Sequence, residues 1–353
     1  MRSSNAVANV EFLTDAFETI QSLLAERIHD DSFAKFTMAY ETFNTIGMEH
    51  TCDVGQKPEN RLKNRYQNIM PYDHSRVVLP VIDNDPDSDY INANYVASHR
   101  SPRGYIATQG PVPASFTAFW RMVWHTKADA IVMLTQEIEA GKMKCHRYWP
   151  DASSTPSTPR DVYGPITVTH ILSEAHPHYL LREFRLECGR ESRLVRQYAY
   201  LSWPDHGTPL TTDEMLHFRH AIRASGDRST GPMIVHCSAG VGRTGTFIGL
   251  DAAIEQCLDG IGPIDIGALL VKMRHARNYM IQTDGQYLFL FQAVQNAIAV
   301  LLADDAQRAD GGSGGERQRG RQGRRHRQRR ARAGGVSRDV QQLDERVGPE
   351  AVG

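Results

Sequence analysis

Residues 231–254 change character twice within a short span. Gly231 precedes a short apolar run, Pro232-Met233-Ile234-Val235, which reads as a buried strand. Phe247-Ile248-Gly249-Leu250-Asp251-Ala252-Ala253-Ile254 reads as a helix. Between them stands His236-Cys237-Ser238-Ala239-Gly240-Val241-Gly242-Arg243-Thr244-Gly245-Thr246, a loop with three glycines. A strand that ends in a glycine-bearing loop and re-enters a helix aims successive backbone N–H groups, and the positive end of that helix, at one point. The chain must therefore build an α/β arrangement around a site suited to an anion.

Cys237 opens this loop, and the field that would bind an anion also favours the thiolate, which is the nucleophilic form of cysteine. Arg243 closes it with a planar fork of donors that matches two phosphoryl oxygens at once. Nucleophile and clamp face one bound group. A cysteine and an arginine with five residues between them carry little information as a bare pair, so the surrounding residues decide.

His-Cys-Ser-Ala-Gly-Val-Gly-Arg-Thr-Gly, from His236 to Gly245, resembles the signature loop of the protein tyrosine phosphatases. The likeness extends over residues 60–299, with several further motifs in the family's order. It implies an α/β fold, a single domain with a highly twisted mixed β-sheet flanked by helices. It implies that Cys237 attacks phosphorus, and that Arg243 with the backbone N–H groups of Ser238, Ala239, Gly240, Val241 and Gly242 holds the transferring group. Thr244 would donate a hydrogen bond to the sulfur, and His236 belongs to the same catalytic set. No metal and no cofactor is required.

The other motifs take their roles from the same resemblance. Tyr66, within Lys63-Asn64-Arg65-Tyr66-Gln67-Asn68, would wall the cleft and stack on the substrate ring, so that pocket depth selects phosphotyrosine over phosphoserine. Asn68 stands where relatives often carry an aspartate, keeping an acceptor for the substrate backbone without its charge. Ser202-Trp203-Pro204-Asp205-His206-Gly207 resembles the movable acid loop, with Asp205 as general acid and then general base, and Trp203 as its anchor. Glu139 would hold Arg243 from behind, and Gln109, in Thr108-Gln109-Gly110-Pro111, belongs to the supporting frame. In Ile281-Gln282-Thr283-Asp284-Gly285-Gln286, Gln282 would position the hydrolytic water and Gln286 would contact substrate or water. Tyr279 fills a place where glycine in some relatives opens a second aryl-phosphate groove.

The residues themselves supply the frame. Leu13, Phe17, Ile20, Leu24 and Ile28 recur at helical spacing over 11–29, so residues 1–34 are expected as a helical extension packed on the domain. Strands are expected at 77–82, 130–135, 162–172, 179–186 and 195–201, and helices at 116–124, 266–276 and 286–302. Thr211-Thr212-Asp213-Glu214 reads as a capping box ahead of a helix that turns Met215, Phe218 and Ile222 inward. The catalytic domain thus spans 35–302.

Residues 303–353 differ in kind. Gly311-Gly312-Ser313-Gly314-Gly315 reads as a linker, and nine arginines fall between Arg317 and Arg332. Such a stretch builds no core and is expected to be disordered. Its charge admits RNA, an anionic membrane or a nuclear import receptor as partner. Five widely spaced cysteines without a Cys-x-x-Cys pair suggest neither a disulfide framework nor zinc. No signal peptide or transmembrane run is read, so the expectation is an intracellular monomer, cytoplasmic with the nucleus admitted by the tail. The substrates expected are phosphotyrosyl proteins. Two other functions remain open on the same residues: an RNA 5'-triphosphatase using the same cysteine chemistry, and an inactive phosphotyrosine-binding module.

Overall fold

Alternation along the central strands builds the molecule. In a strand, successive side chains point to opposite faces, and here both faces are apolar. Val132 and Leu134 enter one core while Ile131 and Met133 enter another, and Val235 and Ile234 divide the same way. Strands of that kind must be covered by helices on both sides.

A computed structural model describes residues 14–15, 17–18, 20–22, 30–151, 159–204, 207–225, 231–261 and 264–326, with the backbone alone for 30–35, 304–305 and 308–326. Its strands are β1 (Arg76–Val78), β2 (Tyr90–Val96), β3 (Tyr105–Thr108), β4 (Ala130–Met133), β5 (Ile138–Glu139), β6 (Lys142–Met143), β7 (Arg160–Tyr163), β8 (Ile166–Ala175), β9 (Tyr179–Cys188), β10 (Glu191–Tyr200) and β11 (Met233–His236). Nine of them form one mixed sheet in the order β1-β2-β3-β11-β4-β10-β9-β8-β7. The middle strands β3, β11, β4 and β10 run parallel, and antiparallel pairs extend the sheet on both sides. The pair β5 and β6 stands apart as a small hairpin.

The helices are α1 (Asp30–Glu41), α2 (Asp53–Gln56), α3 (Phe116–His125), α4 (Asp213–Ala224), α5 (Gly242–Asp259), α6 (Ile266–Ala276) and α7 (Asp284–His326). One core takes Phe218 from α4, Phe247 and Leu250 from α5, Leu270 from α6 and Leu290 from α7. The other takes Phe119, Trp120 and Val123 from α3. The expected mixed sheet with flanking helices is what the chain forms.

Residues 14–22 are helical where described; Ile20 is buried and Phe17 packs against the core. Leu13, Leu24 and Ile28 lie outside the described residues. The strand expected over 77–82 is shorter, because Pro80 cannot donate to a ladder; only Arg76–Val78 pair with β2. The capping box before α4 does not form. Thr212 takes the cap position without a capping bond, and its Oγ1 accepts instead from Asn296 Nδ2 at 2.7 Å, tying α4 to α7. Met215, Phe218 and Ile222 do face inward.

Helix α7 begins at Asp284, and residues 284–303 have the length and mean hydropathy, 1.4, of a membrane span. Half of that stretch is buried inside the fold, with Leu290, Val294 and Ile298 fully enclosed, which is the behaviour of a core helix. The residues from Ala303 form a separate unit. The described backbone of this unit is helical to His326, through Gly311–Gly315. Each glycine there costs about 0.8–1.0 kcal/mol relative to alanine. Ile298 is fully buried, and Leu301 and Leu302 still pack against the core. Residues 327–353 lie outside the described residues.

Candidate active site

Strand β11 delivers Cys237 to the floor of a cleft of about 420 Å³ between Tyr66 on one side and Gln282 and Gln286 on another. The carbonyls of the loop that follows are held by partners outside it. His236 Nδ1 meets Cys237 O at 3.2 Å, Gly110 N donates to Ser238 O at 2.9 Å, and Gly245 N and Ile281 N donate to Val241 O at 2.9 and 3.1 Å. The carbonyls of Ala239 and Gly240 are taken by Arg277, from Nη2 at 3.1 Å and Nε at 2.9 Å. With those oxygens fixed, Gly240 N points at Cys237 Sγ, 3.3 Å away.

The loop needs glycine at one position above all. Gly240 has φ +74°, and a Cβ there would fall 2.1 Å from the carbonyl oxygen of Thr108. Helix α5 then begins at Gly242, and Val241 at its cap offers no side-chain acceptor to the first-turn N–H groups. Such a terminus is suited to a bound anion.

Arg243 is oriented from behind. Its Nη1 and Nη2 donate to the two oxygens of Glu139 at 2.6 and 2.9 Å, a bidentate pair. Glu139 is itself buried, and its Oε1 also accepts from Thr135 Oγ1 at 2.9 Å and Gln136 N at 3.0 Å. The guanidinium donates further to Leu134 O and Pro204 O, at 3.1 and 3.0 Å, and lies 5.8 Å from the ring centroid of Trp203. Trp203 is buried, and its Nε1 donates to Gly207 O at 3.2 Å. That bond joins the two ends of the loop containing Asp205, which lies outside the described residues.

Tyr66 is fixed by a directed chain. Ser238 Oγ donates to Lys144 O at 2.8 Å, so the 2.9 Å contact between Tyr66 and Ser238 is a bond donated by the phenol. Gln109 supports the same wall, accepting from Arg65 N at 2.8 Å and donating to Lys63 O at 2.8 Å. Asn68 lines the cleft, exposed. Gln282 and Gln286 meet through a 2.9 Å bond from Gln282 N to Gln286 Oε1. Tyr279 adopts φ +55°, a backbone conformation that favours glycine.

His236 has no solvent exposure, and burial pushes its pKa down to about 4. Its Nδ1 faces a carbonyl and must carry the proton, so Nε2 accepts from Tyr148 Oη at 2.8 Å. Tyr148 Oη in turn accepts from Gln197 Nε2 at 2.6 Å. Thr244 Oγ1 is buried with no hydrogen-bond partner, so the expected bond to the sulfur is not made.

Sequence reasoning missed Arg277. It is wholly buried, binds Asn94 Oδ1 and Asn92 Oδ1 at 2.8 Å as well as the loop carbonyls, and burial lowers its pKa to about 10, leaving it charged at neutral pH. An arginine in Arg277-Asn278-Tyr279 carries no local signal for that task. Arg65 was missed likewise: it donates to Gly110 O and Pro111 O at 2.8 and 2.9 Å, bracing the Tyr66 wall.

The family model described as protein-tyrosine phosphatase matches residues 60–296. The chain is 41% identical over 274 residues to receptor-type tyrosine-protein phosphatase F of Danio rerio and of Mus musculus, covering 77% of this chain and 14% of each relative. It is 42% identical over 272 residues to receptor-type tyrosine-protein phosphatase eta of Gallus gallus, covering 76% of this chain and 19% of that relative. The chain thus spans less than a fifth of the length of these relatives. On the extent of the family match and the identity to these relatives, this chain belongs to the protein-tyrosine phosphatase family.

Proposed function

We propose that the chain hydrolyses phosphotyrosine in proteins through a cysteinyl-phosphate intermediate. The observation that carries this is the juxtaposition of Cys237, whose Sγ accepts from Gly240 N at the start of a helix, with Arg243 held in a bidentate pair to Glu139. In the first step Cys237 Sγ forms a bond to phosphorus and the phosphorus–phenolic oxygen bond breaks, with Asp205 giving its proton to the leaving oxygen. Arg243 and the N–H groups of the 238–243 loop stabilise charge on the three equatorial oxygens. In the second step water, positioned by Gln282 and Gln286, attacks phosphorus, Asp205 takes its proton, and the thiolate leaves. Thr244, with an unused hydroxyl in the free protein, supplies a hydrogen bond to that departing sulfur.

His236 acts as a positioning residue. A ring held neutral, with Nδ1–H committed to Cys237 O, sets the loop's first carbonyl rather than shuttling a proton. Tyr66 makes the pocket deep, so that an aryl phosphate reaches the sulfur and a shorter phosphoserine does not. The five cysteines are free, which suits a reducing, intracellular setting. Partners for the arginine-rich block, whether RNA, an anionic membrane or an import receptor, rest on its charge alone and play no part in the cleft.

Phosphate release from matched phosphotyrosyl and phosphoseryl peptides and from triphosphate-ended RNA tests the reading. The expected result is phosphotyrosine-selective turnover that vanishes in Cys237→Ser and falls steeply in Asp205→Ala. Faster release from RNA would make the chain a triphosphatase. Phosphopeptide binding without turnover would make it a binding module.

A further inference from the structure

Three side chains outside the cleft converge on one point. Glu49 and His50 lie on the turn after α1, and His275 lies in the last turn of α6. His50 Nε2 and His275 Nδ1 face each other at 3.1 Å, and Glu49 Oε1 lies 3.6 Å from the first and 3.4 Å from the second. The triangle is close to equilateral. Ligand atoms bound tetrahedrally at about 2.0–2.1 Å from one ion lie about 3.3–3.4 Å apart along each edge, so these distances are those of a half-built coordination shell.

We propose that Glu49, His50 and His275 form a binding site for a divalent transition cation, with Zn²⁺ as the best fit. Two imidazole nitrogens and one carboxylate oxygen are the donor set that borderline cations prefer over Mg²⁺ or Ca²⁺, which favour all-oxygen shells. Glu49 and His275 are exposed and His50 is half-buried, so the fourth position opens to water.

The site is held together by packing that involves no ion. Gly47, at φ +81°, turns the chain so closely onto α6 that a Cβ there would lie 2.3 Å from the carbonyl of Arg274. His50 N donates to Gly47 O at 3.1 Å, and its ring packs against Tyr72 and His74 at centroid distances of 5.1 and 4.3 Å. A preorganised triad loses little freedom on binding.

Occupancy would pin the turn to the end of α6, where Arg274 and Arg277 flank His275. Arg274 holds the carbonyls of Met280 and Ile281, and Arg277 holds those of Ala239 and Gly240. The cation therefore acts as a clamp on the helix end that braces the Cys237 and Gln282 loops. It shares no residue with the cleft and takes no part in bond breaking.

The test uses the full, untagged chain carrying Cys237→Ser, which removes the cleft thiolate as a competing ligand. Co²⁺ is titrated while the visible d–d bands of a tetrahedral site are followed, and Zn²⁺ is then added to displace it. The expected result is one equivalent bound per chain, with affinity lowered by at least about tenfold in His275→Ala and in His50→Gln, and far-UV circular dichroism unchanged in both. Zn²⁺ should also raise the thermal midpoint of the parent, but not of His275→Ala. Absence of Co²⁺ bands, or bands unaltered in both folded variants, would overturn the proposal. Glu49→Gln, exposed and remote from any core contact, provides a third variant should a histidine change unfold the chain.

Discussion

Arg277 Nε donates to the carbonyl of Gly240 at 2.9 Å from a position with no solvent exposure. The guanidinium has four oxygen partners, two from loop carbonyls and two from Asn92 and Asn94. It is thus a strut on the outside of the loop that begins at Cys237.

Replacing this strut should cost both stability and turnover. Arg277→Met leaves buried acceptors without donors, so unfolding free energy should fall by roughly 3 kcal/mol. Loss of loop geometry should lower kcat/KM for a phosphotyrosyl peptide by more than about tenfold. Urea denaturation and steady-state kinetics measure the two effects. Arg277→Lys should fall between, since one ammonium cannot span four acceptors.

Glu139 sets the plane of Arg243. In Glu139→Gln the fork meets one acceptor oxygen in place of two, and the charge pairing is gone. Activity should drop on the order of a hundredfold, with inorganic phosphate inhibiting more weakly. Unchanged phosphate inhibition would show that the Arg243 fork does not depend on this carboxylate.

Tyr66 contributes a ring and a hydroxyl, and two substitutions separate them. Tyr66→Phe removes only the bond to Ser238, worth about 1 kcal/mol, and should slow turnover by roughly fivefold. Tyr66→Ala removes the wall, so the ratio of phosphotyrosine to phosphoserine kcat/KM should collapse. Parallel assays on matched peptides give that ratio.

Thr244 Oγ1 has no partner in the free protein, so Thr244→Val should leave stability within about 1 kcal/mol of wild type or raise it. Breakdown of the cysteinyl-phosphate should slow. Rapid-quench kinetics should then reveal a burst of phenol release followed by a slow steady state. A purely structural role for the hydroxyl would show no burst.

His236 makes stability depend on pH. Its folded value, about 4, lies below the unfolded value of about 6.5. Above about 6.5 the ring is neutral in both states and stability is complete. As pH falls from about 6.5 toward 4 only the unfolded chain takes up the proton, and stability is lost, by roughly 3 kcal/mol in all. Urea midpoints at neutral pH and near pH 4.5 should differ more for wild type than for His236→Gln.

Much of this was legible before any coordinates. Cys237, Arg243 and the glycines between them lie in one contiguous loop, so their relation is written in sequence order. The strand and helix on either side follow from local periodicity, and α6 begins and ends at the expected residues, Ile266 and Ala276. The Glu139 partnership came from family likeness, since an acidic residue beside a glycine turn has no distinctive local pattern.

Where local signals compete, packing decided. Thr212 had the residues of a capping box, yet its hydroxyl serves Asn296 because α7 lies against α4. Pro80 cut short a strand that hydrophobicity alone would have prolonged.

The sequence by itself determined that Cys237, the loop glycines and Arg243 share one strand–loop–helix turn, because they occupy adjacent positions joined by short backbone geometry. Only the tertiary structure decided what surrounds that loop. Arg277, Arg65 and the triad of Glu49, His50 and His275 reach their partners across turns, strands and helix ends distant in sequence. Such contacts depend on where the chain returns, and no periodicity or spacing encodes that.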